Sequence, residues 1–302
     1  MKYFLVLTLA CLLTATPGRA DTPAATPEKA VLVTGASTGI GRKITERLAA
    51  GGYFIYAGAR KEADLKQLGA IKNVQAVRLD VTDSKDIAAA VETITKAGRG
   101  LYGLVNNAGV STWGSFTDTK EDDFNFLMQV NLYGPYRITK AFAPLIVAEK
   151  GRITTIGSIS GILAGRNSGV YSMSKHAIEA FADSLAAEMA PLGVQVSVIE
   201  PGNYNSEIGK SAAKRLGVDP RLADRSRFKP PDEVAEAVMQ ALFEPSPKRR
   251  YMVVPNQTEA EWTIKKAIEQ LVQLNEGQAY TYDRDAMVRM LDEALANARP
   301  KR

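Results

Sequence analysis

The sequence predicts an α/β fold: one doubly wound parallel sheet with helices on both faces, extended by helices at the C-terminus. Three observations carry this. From residue 29 onward, apolar runs of strand length alternate with longer amphipathic stretches, the pattern of repeated βαβ units. The runs are continuously apolar, as strands buried on both faces of a parallel sheet are. A glycine-rich turn joins the first run to the first helical stretch, and 302 residues suffice for one large domain of this kind.

Taken in order, strands are expected at 30–34, 53–59, 74–79 and 103–106, with helices at 40–50, 61–68 and 84–97 between them. The helical stretches repeat apolar residues three and four apart, and Asp83 or Ser84 is the N-cap of the third. A long helix is expected within 121–149, then a strand at 152–156, a helix at 171–189 and a strand at 194–200. Residues 201–230 read as irregular, followed by a helix from Pro231 and a last strand at 251–254. Past it, 259–274 and 283–296 read as two additional helices. The organisation is therefore a signal-like segment and linker at 1–28, a doubly wound domain of the dinucleotide-binding kind at 29–255, whose catalytic character rests on its motifs, and a C-terminal helical extension at 256–302.

Composition narrows the function. The net charge of +5 is interspersed along the chain rather than blocked, which argues against a nucleic-acid surface. The single cysteine is Cys11, in the N-terminal apolar stretch, and the single histidine is His176. Disulfides, cysteine nucleophiles, zinc centres and histidine triads are thereby excluded from the folded body, and no metal is expected. His176 follows Lys175 by one residue, turned away from Tyr171, and is assigned to packing or a subunit contact. At the N-terminus, Lys2, the apolar run 3–13 and Pro17-Gly18-Arg19-Ala20 have the form of a secretory signal. The run is short for a membrane-spanning helix. Export is the expectation; the alternatives are an uncleaved membrane anchor through 3–13, or a start assigned too early on a cytoplasmic protein.

Tyr171 and Lys175 are the first chemical signal. Four residues apart, they share a helix face. A phenol has a pKa of about 10; a fixed ammonium beside it favours the phenolate and suits it to general acid/base work. The pair alone is common on helix surfaces, so its meaning depends on what accompanies it. In Thr34-Gly35-Ala36-Ser37-Thr38-Gly39-Ile40-Gly41, the glycines allow a tight turn and a close approach of backbone to a pyrophosphate. The helix starting there points N–H groups and partial positive charge at phosphates. In this strand-turn-helix setting the turn reads as a Rossmann-type cofactor site using Gly35, Ser37, Thr38, Gly39, Ile40 and Gly41. The second strand ends Ala57-Gly58-Ala59-Arg60. An acidic residue there would hold a ribose hydroxyl, whereas arginine can grip a 2′-phosphate, which favours NADP (NADPH) over NAD. The alternative is an exposed arginine opening a loop. Asp80 and Val81 join the cofactor set, Asp80 either accepting from adenine or capping the turn at 81–83.

TGASTGIG at 34–41, Asn106-Asn107-Ala108-Gly109, Asn131, Ser158 and Tyr171-x-x-x-Lys175 resemble, in order and spacing, the short-chain dehydrogenase/reductase family across about 30–254. The runs at 174–181 and 193–202 are most similar to its retinol, hydroxysteroid and hydroxybutyrate branch. The resemblance implies that Ser158 hydrogen-bonds the substrate oxygen, Tyr171 donates or takes the proton, and Lys175 assists Tyr171 and holds the nicotinamide ribose. Asn131 would anchor a water relay to Lys175. Asn107, Ala108 and Gly109 would line the adenosine-ribose side, and Pro201 and Gly202 the nicotinamide. Ser206 stands where the family usually has threonine, and Asn203-Tyr204-Asn205 is more polar than the family's usual pair. Trp113, Ile162, Leu163, Tyr204 and Ile208 are the apolar substrate candidates. The expected function is an NADP(H)-dependent oxidoreductase interconverting a lipophilic secondary alcohol and a ketone. The alternatives are a 3-oxoacyl thioester reductase, which usually lacks a tail like 255–302, and a non-catalytic nucleotide-binding sensor or scaffold. Self-association as a homodimer or homotetramer through the helices at 121–149 and 171–189 is also implied.

Overall fold

Seven strands build one sheet in the computed structural model, which describes residues 29–298. They are β1 (Ala30–Val33), β2 (Phe54–Ala59), β3 (Val74–Arg78), β4 (Gly103–Asn106), β5 (Arg152–Ile156), β6 (Gln195–Pro201) and β7 (Arg250–Val253). Their order is β3-β2-β1-β4-β5-β6-β7, and every neighbouring pair is parallel. The strand order reverses between β1 and β4, the switch point outside whose carboxyl ends ligands bind in such sheets. The signal-like segment and its apolar run 3–13 lie outside the described residues. Among the described residues no helix is long and apolar enough to cross a membrane.

Alternation along each strand explains why the runs read as continuously apolar. In β1, Val31 and Val33 face one core with Ile44 and Leu48 of α1 (Gly39–Ala50) and Val234, Val238 and Leu242 of α8 (Asp232–Phe243). Ala30 and Leu32 face the other, with Ile87 and Ile94 of α3 (Ser84–Ala97) and Ile138 and Phe142 of α5 (Gly134–Ala148). Asp83 is the N-cap of α3, accepting from the Lys85 N–H at 2.8 Å. α2 (Glu62–Gly69) and α6 (Gly169–Met189) complete the layers, and α9 (Gln257–Asn275) and α10 (Arg284–Ala298) follow β7.

Two expectations are corrected. The helix expected through 121–149 is not continuous: α4 (Glu121–Met128) passes into a π turn at Gln129–Tyr133 before α5 begins. Pro135 is the physical reason in the sequence, because it has no N–H to give the carbonyl of Asn131 four residues earlier. Residues 201–230 are not irregular throughout, since they contain α7 (Ile208–Leu216). It buries Ala212 and Ala213, carries Lys214 and Arg215 in its last turn, and ends on Gly217 in a left-handed conformation.

Candidate active site

A cleft of about 740 Å³ opens at the carboxyl ends of the strands. Its walls include Gly35, Ser37, Thr38, Gly39, Ile40 and Gly41 from the first turn, and Arg60, Asp80 and Val81 after β2 and β3. Asn107, Ala108 and Gly109 follow β4, Ser158 follows β5, and Tyr171 and Lys175 come from α6. Pro201, Gly202 and Ser206 close it after β6. Of the expected catalytic and cofactor residues, only Asn131 does not line the cleft.

The glycine turn is held from behind. Asn107 Nδ2 donates to the carbonyls of Thr34 (2.8 Å) and Gly35 (3.1 Å), and Thr34 Oγ1 accepts from the N–H groups of Asn107 and Ala108, both at 3.0 Å. Gly35 and Gly39 have φ of +64° and +54°, which side-chain-bearing residues adopt at a cost. A Cβ on Gly35 would meet Ala108 Cα at 2.8 Å. Thr38 makes no side-chain cap at the start of α1, so the first N–H groups of that helix are left to an external anion. This cradle fits the diphosphate of a dinucleotide cofactor.

Beyond the ends of β2 and β3, Arg60 Nη1 lies 3.6 Å from Asp80 Oδ2. Asp80 accepts from the Thr82 N–H (2.9 Å) and hydroxyl (2.7 Å), the turn-capping geometry rather than a free acceptor. Burial pushes the Asp80 carboxyl up, but the bonds from Thr82 and the Arg60 guanidinium outweigh it and hold it below its ordinary value. Lys61, which sequence reasoning passed over, lines the cleft beside Arg60.

At the other end, α6 starts at Gly169, two residues before Tyr171, and sets Tyr171 in its first turn and Lys175 one turn on. Lys175 is buried; its Nζ donates to the Ile156 carbonyl at 2.9 Å and lies 5.7 Å from the centroid of the Tyr171 ring. Ser158 Oγ accepts from the Ser160 N–H at 3.1 Å and sits 3.5 Å from the Pro201 carbonyl. Asn131 in the π turn clamps Val110, accepting from its N–H (2.8 Å) and donating to its carbonyl (2.9 Å) and to Ser174 Oγ (3.1 Å). Ser174 Oγ in turn donates to the Tyr171 carbonyl at 2.7 Å. His176 is exposed, with Nδ1 2.9 Å from the Ser172 carbonyl, so it does not pack within the chain.

Among the apolar candidates, Trp113, Leu163 and Ile208 line the cleft and Ile162 does not. Tyr204 reaches its edge, but the ring is buried in the core and its hydroxyl donates to Glu233 Oε2 at 2.6 Å. That burial, then the Glu233 bond, pushes the phenol up. The polar stretch around it has a structural use: the Asn203 N–H donates to Glu259 Oε2 (2.8 Å) and the Asn205 N–H to the Lys229 carbonyl (2.9 Å). Glu259 belongs to α9, where Asn256 caps its N–H at 3.0 Å and donates back to Oε1 at 3.1 Å, a reciprocal cap. The extension is thereby docked on the bend after β6, and it brings Trp262 to the cleft wall. Trp262 and Arg225 were missed in the sequence; the Asn256-x-x-Glu259 spacing signals the helix start but not where the helix docks.

Residues 29–217 match the short chain dehydrogenase family. The D-beta-hydroxybutyrate dehydrogenase of mouse mitochondria is 39% identical over 198 residues, covering 62% of this chain and 58% of that enzyme. Mouse retinol dehydrogenase 5 is 38% identical over 184 residues, covering 59% and 57%. The chain thus spans a little over half the length of these relatives. A short-chain dehydrogenase structure from Streptomyces avermitilis superposes with a TM-score of 0.72 at 28% identity, covering 84% of this chain and 97% of that one. With the glycine turn, the Asn107 staple and the Ser158, Tyr171 and Lys175 wall in one parallel-sheet cleft, the chain belongs to the short-chain dehydrogenase/reductase family of nicotinamide-dependent oxidoreductases.

Proposed function

We propose that the protein is an NADP(H)-dependent oxidoreductase interconverting a lipophilic secondary alcohol and a ketone, with Tyr171 as general acid/base. The observation that carries this is the meeting of Ser158, Tyr171 and Lys175 in one cleft with the glycine turn. A bound nicotinamide supplies hydride to the substrate carbon or takes it away. In carbonyl reduction Ser158 Oγ–H donates to the substrate oxygen and steadies its developing negative charge. Tyr171 gives that oxygen its proton. Lys175, fixed by the Ile156 carbonyl, keeps its positive charge beside the phenolate left behind. Asn131 spends its carboxamide on Val110 and Ser174; its backbone carbonyl, which Pro135 cannot serve, is the group offered to a water relay toward Lys175.

Arg60 and Lys61 on the cleft wall together support the NADP reading, because two cations there would suit a 2′-phosphate and the strand end has no acid to repel it. The apolar wall of Trp113, Leu163, Ile208 and Trp262, with relatives named for retinol and hydroxybutyrate, supports a lipophilic substrate. Trp262 of the docked extension on the cleft wall disfavours a thioester on a bulky carrier; the retained Tyr171 and Lys175 disfavour a sensor. Exposed Tyr133, Tyr136 and Met173 on the helices named for self-association support a homo-oligomer, which sedimentation velocity checks.

The test is an absorbance screen of ketones and alcohols with NADPH and NADH in parallel, followed by Tyr171→Phe on the best substrate. The expected loss in kcat is about 10²–10⁴-fold, with NADPH still bound in fluorescence titration. Wild-type turnover by Tyr171→Phe would overturn the mechanism.

A further inference from the structure

Among the described residues, four cationic side chains line the cleft: Arg60, Lys61, Lys175 and Arg225. Arg60 and Lys175 have partners, and Lys61 lies beside Arg60, away from the substrate end. Arg60 faces Asp80 at 3.6 Å, and Lys175 is bonded to the Ile156 carbonyl. Arg225 differs. It is half-buried, and the acids of its own segment are committed elsewhere. Glu207 and Asp224 hold Lys210 at 3.3 and 3.4 Å, Asp224 also accepts from the Ser226 hydroxyl at 2.7 Å, and Asp219 clasps Arg221. Among the described residues its one aromatic neighbour is Phe228, whose ring centroid lies 5.9 Å from the guanidinium carbon.

The cleft's own carboxylates, Asp64, Asp80 and Glu207, make no ion pair with Arg225; a partly desolvated arginine so placed is an anion site awaiting its anion, since the planar fork matches a carboxylate through two parallel hydrogen bonds. Its position decides whose anion. Arg225 arrives on the segment that follows α7, which also brings Ile208 and Ser211 to the cleft, and Trp262 from α9 lines the same cavity. The cofactor's phosphates already have the backbone cradle at the start of α1. We propose that Arg225 anchors a carboxylate on the substrate, so that the cleft selects an alcohol or ketone with an apolar body and an acid group. This rests on the oxidoreductase reading above and narrows its substrate class. Arg225 sets specificity and takes no part in proton transfer.

The experiment compares 3-hydroxy acids of four to twelve carbons with their methyl esters, using the full chain and NADP⁺. In the wild type, kcat/KM for the acids should exceed that for the esters. Arg225→Gln should lower kcat/KM for the acids by about 10–100-fold, the range of a lost hydrogen-bonded charge, mostly through KM. The esters should change little, and Arg225→Lys should recover part of the loss. A second measurement needs no turnover. The chain's two tryptophans, Trp113 and Trp262, both line the cleft, so quenching of their fluorescence reads binding of saturated fatty acids against their methyl esters. Tighter binding of acids by the wild type, lost in Arg225→Gln, supports the anchor. Equal binding of acids and esters overturns it. So does a raised NADPH dissociation constant in Arg225→Gln with acid binding intact, which would put the guanidinium on a cofactor phosphate. Because quenching is read without turnover, an active Tyr171→Phe enzyme would refute the proton-transfer mechanism and leave this result standing.

Discussion

Arg60 and Asp80 illustrate how a side chain's sequence neighbourhood can point to the right place and miss a partner. The strand-end position of Arg60 was legible, because β2 ends where its apolar run ends. Its contact with Asp80 at 3.6 Å was not, because the two meet only through the pairing of β2 with β3. The pair holds Arg60 at the strand end, where the proposed NADP reading would have it meet a 2′-phosphate. Arg60→Ala should weaken NADPH binding by about 10–100-fold, the range of a hydrogen bond to a charged group. NADH binding should change less than threefold, and parallel fluorescence titrations check both. Tyr204 shows the opposite limit of reading: its place after Pro201-Gly202 suggested substrate contact, yet its ring is claimed by the core and its hydroxyl by Glu233. Nothing local distinguishes an aromatic that faces a cleft from one that turns beneath it.

At the scale of elements, the alternation of strands and helices was legible because parallel strands buried on both faces leave an unbroken apolar record. The π turn at Gln129–Tyr133 was not read, although Pro135 marks it. A proline in the middle of a long helical pattern is compatible with a kink, a restart or a bulge. The bulge matters because it aims Asn131 across the structure to Val110, tying the segment after β4 to α6 through Ser174. Removing the carboxamide leaves both polar groups of Val110 short of partners in a part-buried site. Asn131→Ala should therefore cost about 2–4 kcal/mol of stability, as two orphaned backbone groups do. The urea midpoint should fall with an unchanged slope, and kcat should fall more than the cofactor dissociation constant rises. The C-terminal extension taught a related lesson. Its helices were expected, but docking through Glu259 onto the Asn203 N–H is a long-range event that periodicity does not encode.

For the molecule as a whole, the sheet's far edge holds a charge cluster that no motif announces. Glu200 of β6 is buried and receives Arg250 Nε of β7 at 2.6 Å. Arg250 also meets Glu179 at 2.8 Å and Asp183 at 3.3 Å, both on α6 one and two turns beyond Lys175. Burial works against the Arg250 cation, but these carboxylates outweigh it and raise it above its usual range. Burial, then repulsion from Glu179, pushes Glu200 up to about 7 against Arg250. The folded protein therefore keeps a proton that the unfolded chain, with an ordinary glutamate near 4.5, has released. Stability from this proton is full below about pH 4.5 and declines as pH rises to about 7, after which the term is constant. Solvent reaches part of the cluster, which limits the term to on the order of 1 kcal/mol, about 2–4 °C in Tm for a domain of this size. Glu200→Gln keeps an acceptor for Arg250 and has no proton to lose. The difference in Tm, wild type minus Glu200→Gln, should thus decrease between pH 4.5 and 7 and level off above. A difference that is flat across that window, or that grows with pH, would mean Glu200 is already ionised in the folded state and that Arg250, not burial, governs the joint between α6 and the edge of the sheet.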